Sequence, residues 1–158
     1  MTYILANERD KDAASAFEEY KKYLTAHKDK FSESVFKLAS SDWWYDFNNH
    51  KCPHDAWLER ALISEPSKGE RNENRTTEVI LMLLGANQDG YIELSYKNVV
   101  SINLDSHNVK LGHKDWRYDE FRYTKSGLFV HEIEWSGSNE TANWEIEAED
   151  IEYSWHDK

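Results

Sequence analysis

The segment that most constrains this chain is Trp144 to Trp155. Trp144, Ile146 and Ala148 alternate strictly with Glu145, Glu147 and Glu149, the period-two pattern of a strand with one buried and one wetted face. Ile151, Tyr153 and Trp155 then continue the apolar series on the opposite parity. A one-residue slip would turn every buried side chain outward, so a β-bulge or a bend is expected near Glu149-Asp150. A long strand with a built-in bend belongs to a curved sheet.

The preceding stretches carry the same signature. Trp116 to Tyr123 and Leu128 to Trp135 read as strands, separated by Lys125-Ser126-Gly127 and followed by the connector Ser136-Gly137-Ser138-Asn139. Thr77 to Leu84 is apolar on both faces, Asn87-Gln88-Asp89-Gly90 is a turn, and Tyr91 to Tyr96 is its hairpin partner. Val99 to Leu104 reads as another strand after Asn98, and Trp57 to Ile63 as an earlier one, followed by an exposed loop over Glu65 to Asn74. Ser34 to Ala39 and Asp42 to Phe47 fit either strands or a second helix. Only Asp10 to His27 has clear helical spacing, through Ala13, Ala16, Phe17, Tyr20, Tyr23 and Leu24, with acidic residues near its start and Lys28 and Lys30 near its end. The expected fold is α+β, one domain over 1–158. An N-terminal amphipathic helix packs on a curled, mainly antiparallel sheet or open barrel of about seven or eight strands.

Composition agrees with a folded domain. Charged residues make up 31% of the 158, yet 7 Trp, 9 Tyr and 6 Phe supply the bulky apolar surface a core needs. The formal charge of −11 argues against nucleic acid, whose phosphates call for basic patches. No apolar run is long enough to cross a membrane as a helix. The first residues lack the basic and apolar regions of an export signal, and the single cysteine, Cys52, cannot form an internal disulfide, so the cytoplasm is the expected compartment. The sequons at Asn74 and Asn139 are therefore read as chance matches.

Catalytic signatures are missing: no nucleophile elbow, no phosphate-binding glycine loop, no dinucleotide fingerprint, and hence no implied cofactor. His50, Cys52 and His54 alternate along the chain and are the best candidate metal ligands, but no second ligand pair accompanies them, and an ordinary loop is the preferred reading. His131, flanked by Glu132 and Glu134 and near Asp119 and Glu120, suggests acid–base chemistry. Alternation instead groups His131 with Phe129, Ile133 and Trp135 as a packed core histidine.

The negative charge is unevenly placed. Residues 1–114 hold 18 acidic and 15 basic side chains, net −3, whereas residues 115–158 hold 12 and 4, net −8. Glu145, Glu147 and Glu149 form one acidic row, with Asp119, Glu120, Glu132 and Glu134 expected beside it, and Trp43, Trp44, Tyr45 and Trp116 as aromatic anchors. Such a face could be a solvated coat or a dock for a basic protein partner.

Several phrases carry a resemblance: His54-Asp55-Ala56-Trp57-Leu58-Glu59, Gly90-Tyr91-Ile92-Glu93-Leu94-Ser95-Tyr96-Lys97-Asn98-Val99, Asp119-Glu120-Phe121-Arg122, His131-Glu132-Ile133 and Trp144-Glu145-Ile146-Glu147. Over Asp42 to Trp155 the chain resembles a group of small bacterial proteins, some of which look like immunity proteins that neutralise a partner toxin. The resemblance implies a non-catalytic inhibitor and carries no active-site residues with it. The other class open at this point is a small-ligand-binding protein or enzyme with an aromatic pocket inside the sheet.

Overall fold

A computed structural model describes residues 1–6, 9–136 and 142–158. Among the described residues two α-helices precede six strands: α1 (Ala13–Ala26), α2 (Glu33–Ala39), β1 (Trp57–Ser64), β2 (Glu78–Leu84), β3 (Gly90–Asp105), β4 (Asp115–Lys125), β5 (Leu128–Ser136) and β6 (Ala142–Asp157). The α+β class and the antiparallel sheet follow the expectation, but the strand count does not. Tyr91–Tyr96 and Val99–Leu104 are two halves of one strand, β3, and Ser34–Ala39 belongs to α2. The predicted connector after Ser136, with the Asn139 sequon, lies outside the described residues.

Each helix starts at a side-chain cap: Asp12 accepts from the Ser15 amide at 3.1 Å, and Ser32 from Val35 at 3.5 Å. The strands form two three-stranded meanders, β1-β2-β3 and β4-β5-β6, joined along β3 and β6 into a barrel of order β1-β2-β3-β6-β5-β4. The buried set of β6 changes parity between Ala148 and Ile151, as alternation requires, and the register of β3 against β6 shifts close by, between Val99 and Ser101. Asn98, at a left-handed φ of 51°, sits between the pairs Lys97↔Asp150 and Val99↔Ala148 and donates to Glu149 at 3.0 Å. Gly90 is required for a different reason: a Cβ there would meet the Trp155 ring at 2.2 Å.

Among the described residues the barrel closes on itself through a single strand pair, Trp57↔Asp115. Beyond it β4 would be a bare edge, with backbone donors and acceptors facing an apolar interior. Side chains and loops seal that edge. Asp55 donates to the Trp116 carbonyl and Trp116 to the Ala56 carbonyl, at 2.8 and 2.9 Å, and His54 Nδ1 bonds the Arg117 carbonyl. The Tyr45 hydroxyl donates to the Asp119 carbonyl at 3.2 Å. Tyr20 accepts from the Phe121 amide at 2.7 Å and donates to its carbonyl at 2.9 Å, and Tyr23 accepts from the Tyr123 amide at 3.0 Å. Helix α1 thus plays the part of a missing strand.

Replacing Tyr20 by Phe strands two buried backbone groups and is expected to destabilise the fold by about 1–3 kcal/mol; a urea midpoint equal to wild type would refute the seal. Burial raises the Tyr23 hydroxyl from 10.0 to about 12. The folded form therefore holds this proton where the unfolded chain releases it, and the stabilisation is complete below pH 10 and lost toward about 12. Denaturation curves across that range should show wild type losing more stability than Tyr23→Phe.

Candidate functional site

The β-bulge between Trp116 and Tyr118 decides which β4 side chains face inward. It turns both Trp116 and Asp119 into the barrel, and regular alternation then sends Glu120 out and Phe121 in. Asp119, 3% exposed, becomes an interior carboxylate with three N–H donors around it: Trp44 Nε1 at 2.9 Å and Trp116 Nε1 at 3.2 Å, with His131 Nε2 at 2.8 Å. A carboxylate accepts from N–H groups, so His131 Nε2 carries the proton that faces Asp119, while His131 Nδ1 and the Tyr96 hydroxyl, 2.6 Å apart, share the next hydrogen bond. Burial, reinforced by the Asp119 charge, holds the Tyr96 hydroxyl well above its ordinary pKa and so protonated. Phe121 stacks on the His131 ring at 4.0 Å. The chain Tyr96–His131–Asp119 resembles a proton relay in its connectivity, but His131 and Tyr96 are 0% exposed and no substrate atom can reach them. Its physical role is to hold a charge in the core and to fix the positions of four aromatic rings.

The outward side chains of the same strands form a second cluster. Arg122 lies between Glu120, Nη1 to Oε1 3.1 Å, and Glu132, Nη2 to Oε1 2.6 Å, while Asn143 donates to the other Glu132 oxygen at 3.1 Å. The amides of Tyr3 and Leu5 donate to Glu120, so the N-terminal segment lies over the cluster. Burial raises the Glu120 carboxyl, and the Arg122 guanidinium opposes that rise. Arg9 bonds the Ile4 carbonyl at 3.1 Å, reaches Glu134 at 3.4 Å and covers the Tyr118 ring at 4.2 Å; Arg117 stands 3.6 Å from Glu134.

These placements correct the expected acidic face. Asp119 lies inside the barrel, and Glu120 and Glu132 are buried against Arg122; Glu134 is paired with arginine. Trp44 and Trp116 are wholly buried as donors to Asp119, and Trp43 and Tyr45 are half-buried, Trp43 against Tyr153 at 4.7 Å. Alternation in β4 is broken by the bulge, so a regular reading assigns Asp119 to the wrong side. Glu145, Glu147 and Glu149 do face outward. Glu152, past the bend, extends their row. Their cross-strand partners on β3 are Asn103 opposite Glu145, Ser101 opposite Glu147 and Ser95 opposite Glu152, and on β5 Glu132 and Val130; none is basic.

The histidine–cysteine triplet does not converge. His50 bonds Asp89 at 2.6 Å on the surface, the Cys52 thiol donates to the Trp44 carbonyl at 2.8 Å, and His54 stacks on Phe47 at 3.8 Å. Burial pushes the thiol up to about 12, so the metal-binding thiolate is suppressed. Among the described residues no group of three or more His, Cys, Asp or Glu side chains is placed to hold a metal ion.

The interior is filled by side chains, with Trp44, Trp116, Trp135, Tyr96, Phe121 and Phe129 each under 2% exposed. The grooves on the molecule lie elsewhere, such as one of about 700 Å³ lined by Thr25, Phe31 and Phe36 beside the helices. No helix among the described residues is long and apolar enough to cross a membrane. Comparison with family models, curated proteins and solved structures finds no match for the chain.

Asp119→Asn puts an N–H₂ group among donors and is expected to cost roughly 3 kcal/mol, against within about 0.5 kcal/mol for the exposed Glu149→Gln. Equal denaturation midpoints for the two variants would remove Asp119 from its central place. The Cys52 thiol should resist a disulfide reagent at neutral pH in the native protein and react at once in denaturant, and rapid native-state labelling would contradict the thiol's burial.

Proposed function

We propose that the protein is a non-catalytic binding domain whose docking strip is the outward row Glu145, Glu147, Glu149 and Glu152, and that its partner is a basic protein. The carrying observation is the neighbourhood of that row: its cross-strand partners are hydroxyl, amide, apolar or acidic, with no basic side chain directly opposite, whereas the other conspicuous acidic residues of β4 and β5 are buried or paired with arginine. A dense like-signed row on rigid strands attracts an oppositely charged surface at long range and raises its encounter rate. The filled barrel supports this over a pocket for a small ligand, since the aromatic side chains that would line such a pocket pack against one another. The resemblance to immunity-type proteins gives the partner a class. It would be a toxin with a positive working surface, such as a nuclease channel, that an acidic cap can occupy.

The test uses wild type and a Glu145→Gln/Glu147→Gln/Glu149→Gln variant as baits. The expected partner is a basic protein held by wild type, released as salt rises from about 0.1 to 1 M, and not held by the variant. Expressed alone it should be toxic, and co-expression with wild type, but not with the variant, should rescue growth. Identical captured sets for both baits would overturn the assignment to this strip.

A further inference from the structure

The β1 strand is the least protected part of the sheet. On one side it pairs with β2 from Trp57 to Ser64, and on the other its only pair among the described residues is Trp57↔Asp115. The edge from Leu58 onward therefore presents backbone donors and acceptors that only another extended chain can satisfy in register. Natural edges are usually blunted by charge, proline or a bulge. β1 has a bulge between Leu58 and Arg60, but beyond it Ala61, Leu62 and Ile63 carry none of these devices. Leu62 and Ile63 are 52% and 51% exposed. Ala61 and Ile63 pair with Leu81 and Val79 on one face, and Leu62 with Ile80 on the other, so both faces of the edge are apolar.

We propose that this edge pairs with the same edge of a second copy of the chain, antiparallel and about a two-fold axis through Leu62. Symmetry limits the choices, because an isologous antiparallel pair must place one residue opposite itself. An axis at Arg60 would bring two guanidinium groups together, and one at Ala61 would set Arg60 against Leu62. The axis at Leu62 places Leu62 on Leu62 and Ala61 on Ile63, and leaves Arg60 opposite Ser64 at the rim, so the apolar residues meet one another on both faces. The region around this edge also carries little net charge. In a chain of −11, the stretch from Trp57 to Leu84 holds Glu59, Glu65, Glu70, Glu73 and Glu78 against Arg60, Lys68, Arg71 and Arg75, a net of −1. The acidic row of β6 stays free in the pair, so the dimer offers two such rows to any partner.

Five residue pairs make a small contact, short of the roughly 800 Å² a side of a standard stable interface, so the dimer is concentration-dependent. Sedimentation should show wild type moving from monomer to dimer as concentration rises from about 1 μM to 1 mM, the range of a weak association. Leu62→Lys and, independently, Ile63→Lys should weaken that association at least about tenfold, which is 1.4 kcal/mol, with unchanged far-ultraviolet spectra. Oxidative cross-linking reads the register: Leu62→Cys should form a disulfide dimer and Arg60→Cys should not, because its Cα atoms would lie beyond the roughly 7 Å limit. A monomer throughout, or a dimer indifferent to both lysine variants, overturns the proposal. Cross-linking through Arg60→Cys but not Leu62→Cys overturns the register.

Discussion

Everything in this molecule depends on how the outer edge of β4 is closed. Two meanders joined along β3 and β6 bring β1 and β4 together at one pair and leave the rest of the outer edge of β4, the side away from β5, without a strand neighbour. A bare edge facing an apolar interior would leave several backbone groups unpaired, each costing about 1–3 kcal/mol. The hydroxyls of Tyr45, Tyr20 and Tyr23 supply the missing partners at the same two-residue spacing that a strand would use, meeting residues 119, 121 and 123. Tyrosine suits the task because its ring fills core volume while its tip still hydrogen-bonds.

Closing the seam in this way is what permits a charge inside. Asp119 lies on the sealed strand, and its donors come from three parts of the chain: Trp44 after α2, Trp116 on β4 and His131 on β5. A buried carboxylate is weak evidence for net stability, since desolvation opposes what its hydrogen bonds contribute. What it does provide is geometric demand, because the two indoles and the imidazole satisfy it in one arrangement only. The same logic operates outside the barrel, where Arg122 between Glu120 and Glu132 orients β4 against β5 and the N-terminal segment lies over both.

Sequence pattern revealed the class, the long α1 helix, the core histidine at 131 and the change of parity in β6, because each rests on local periodicity. Three features escaped it for physical reasons. Tyr20 and Tyr23 read as ordinary apolar positions of an amphipathic helix, and nothing local announces that their hydroxyls serve a strand far along the chain. The bulge at Trp116–Tyr118 resets the alternation of β4 without a glycine to mark it, so Asp119 and Glu120 read as surface charges when one lies in the core and the other beneath the N-terminus. Trp57 to Ile63 reads as a strand, as it is, but its apolar residues imply a burial that the position at the seam denies them. Periodicity reports which side chains share a face; it does not report which strand lacks a neighbour.

The tyrosine seal also has a consequence in time. Tyr20 and Tyr23 contact strand positions 101 and 100 residues further along the chain, so α1 leaves the ribosome long before the strand it completes exists. Until β4 has been made, the hydroxyls of Tyr20 and Tyr23 lack their strand partners, and the Trp44 indole lacks Asp119. The loop closed by these contacts is among the longest the chain can make, which favours slow folding and a late docking step. For most of synthesis the part of the protein that finishes the barrel is therefore a waiting amphipathic helix, and that is the period in which a chaperone has the most exposed apolar surface to hold.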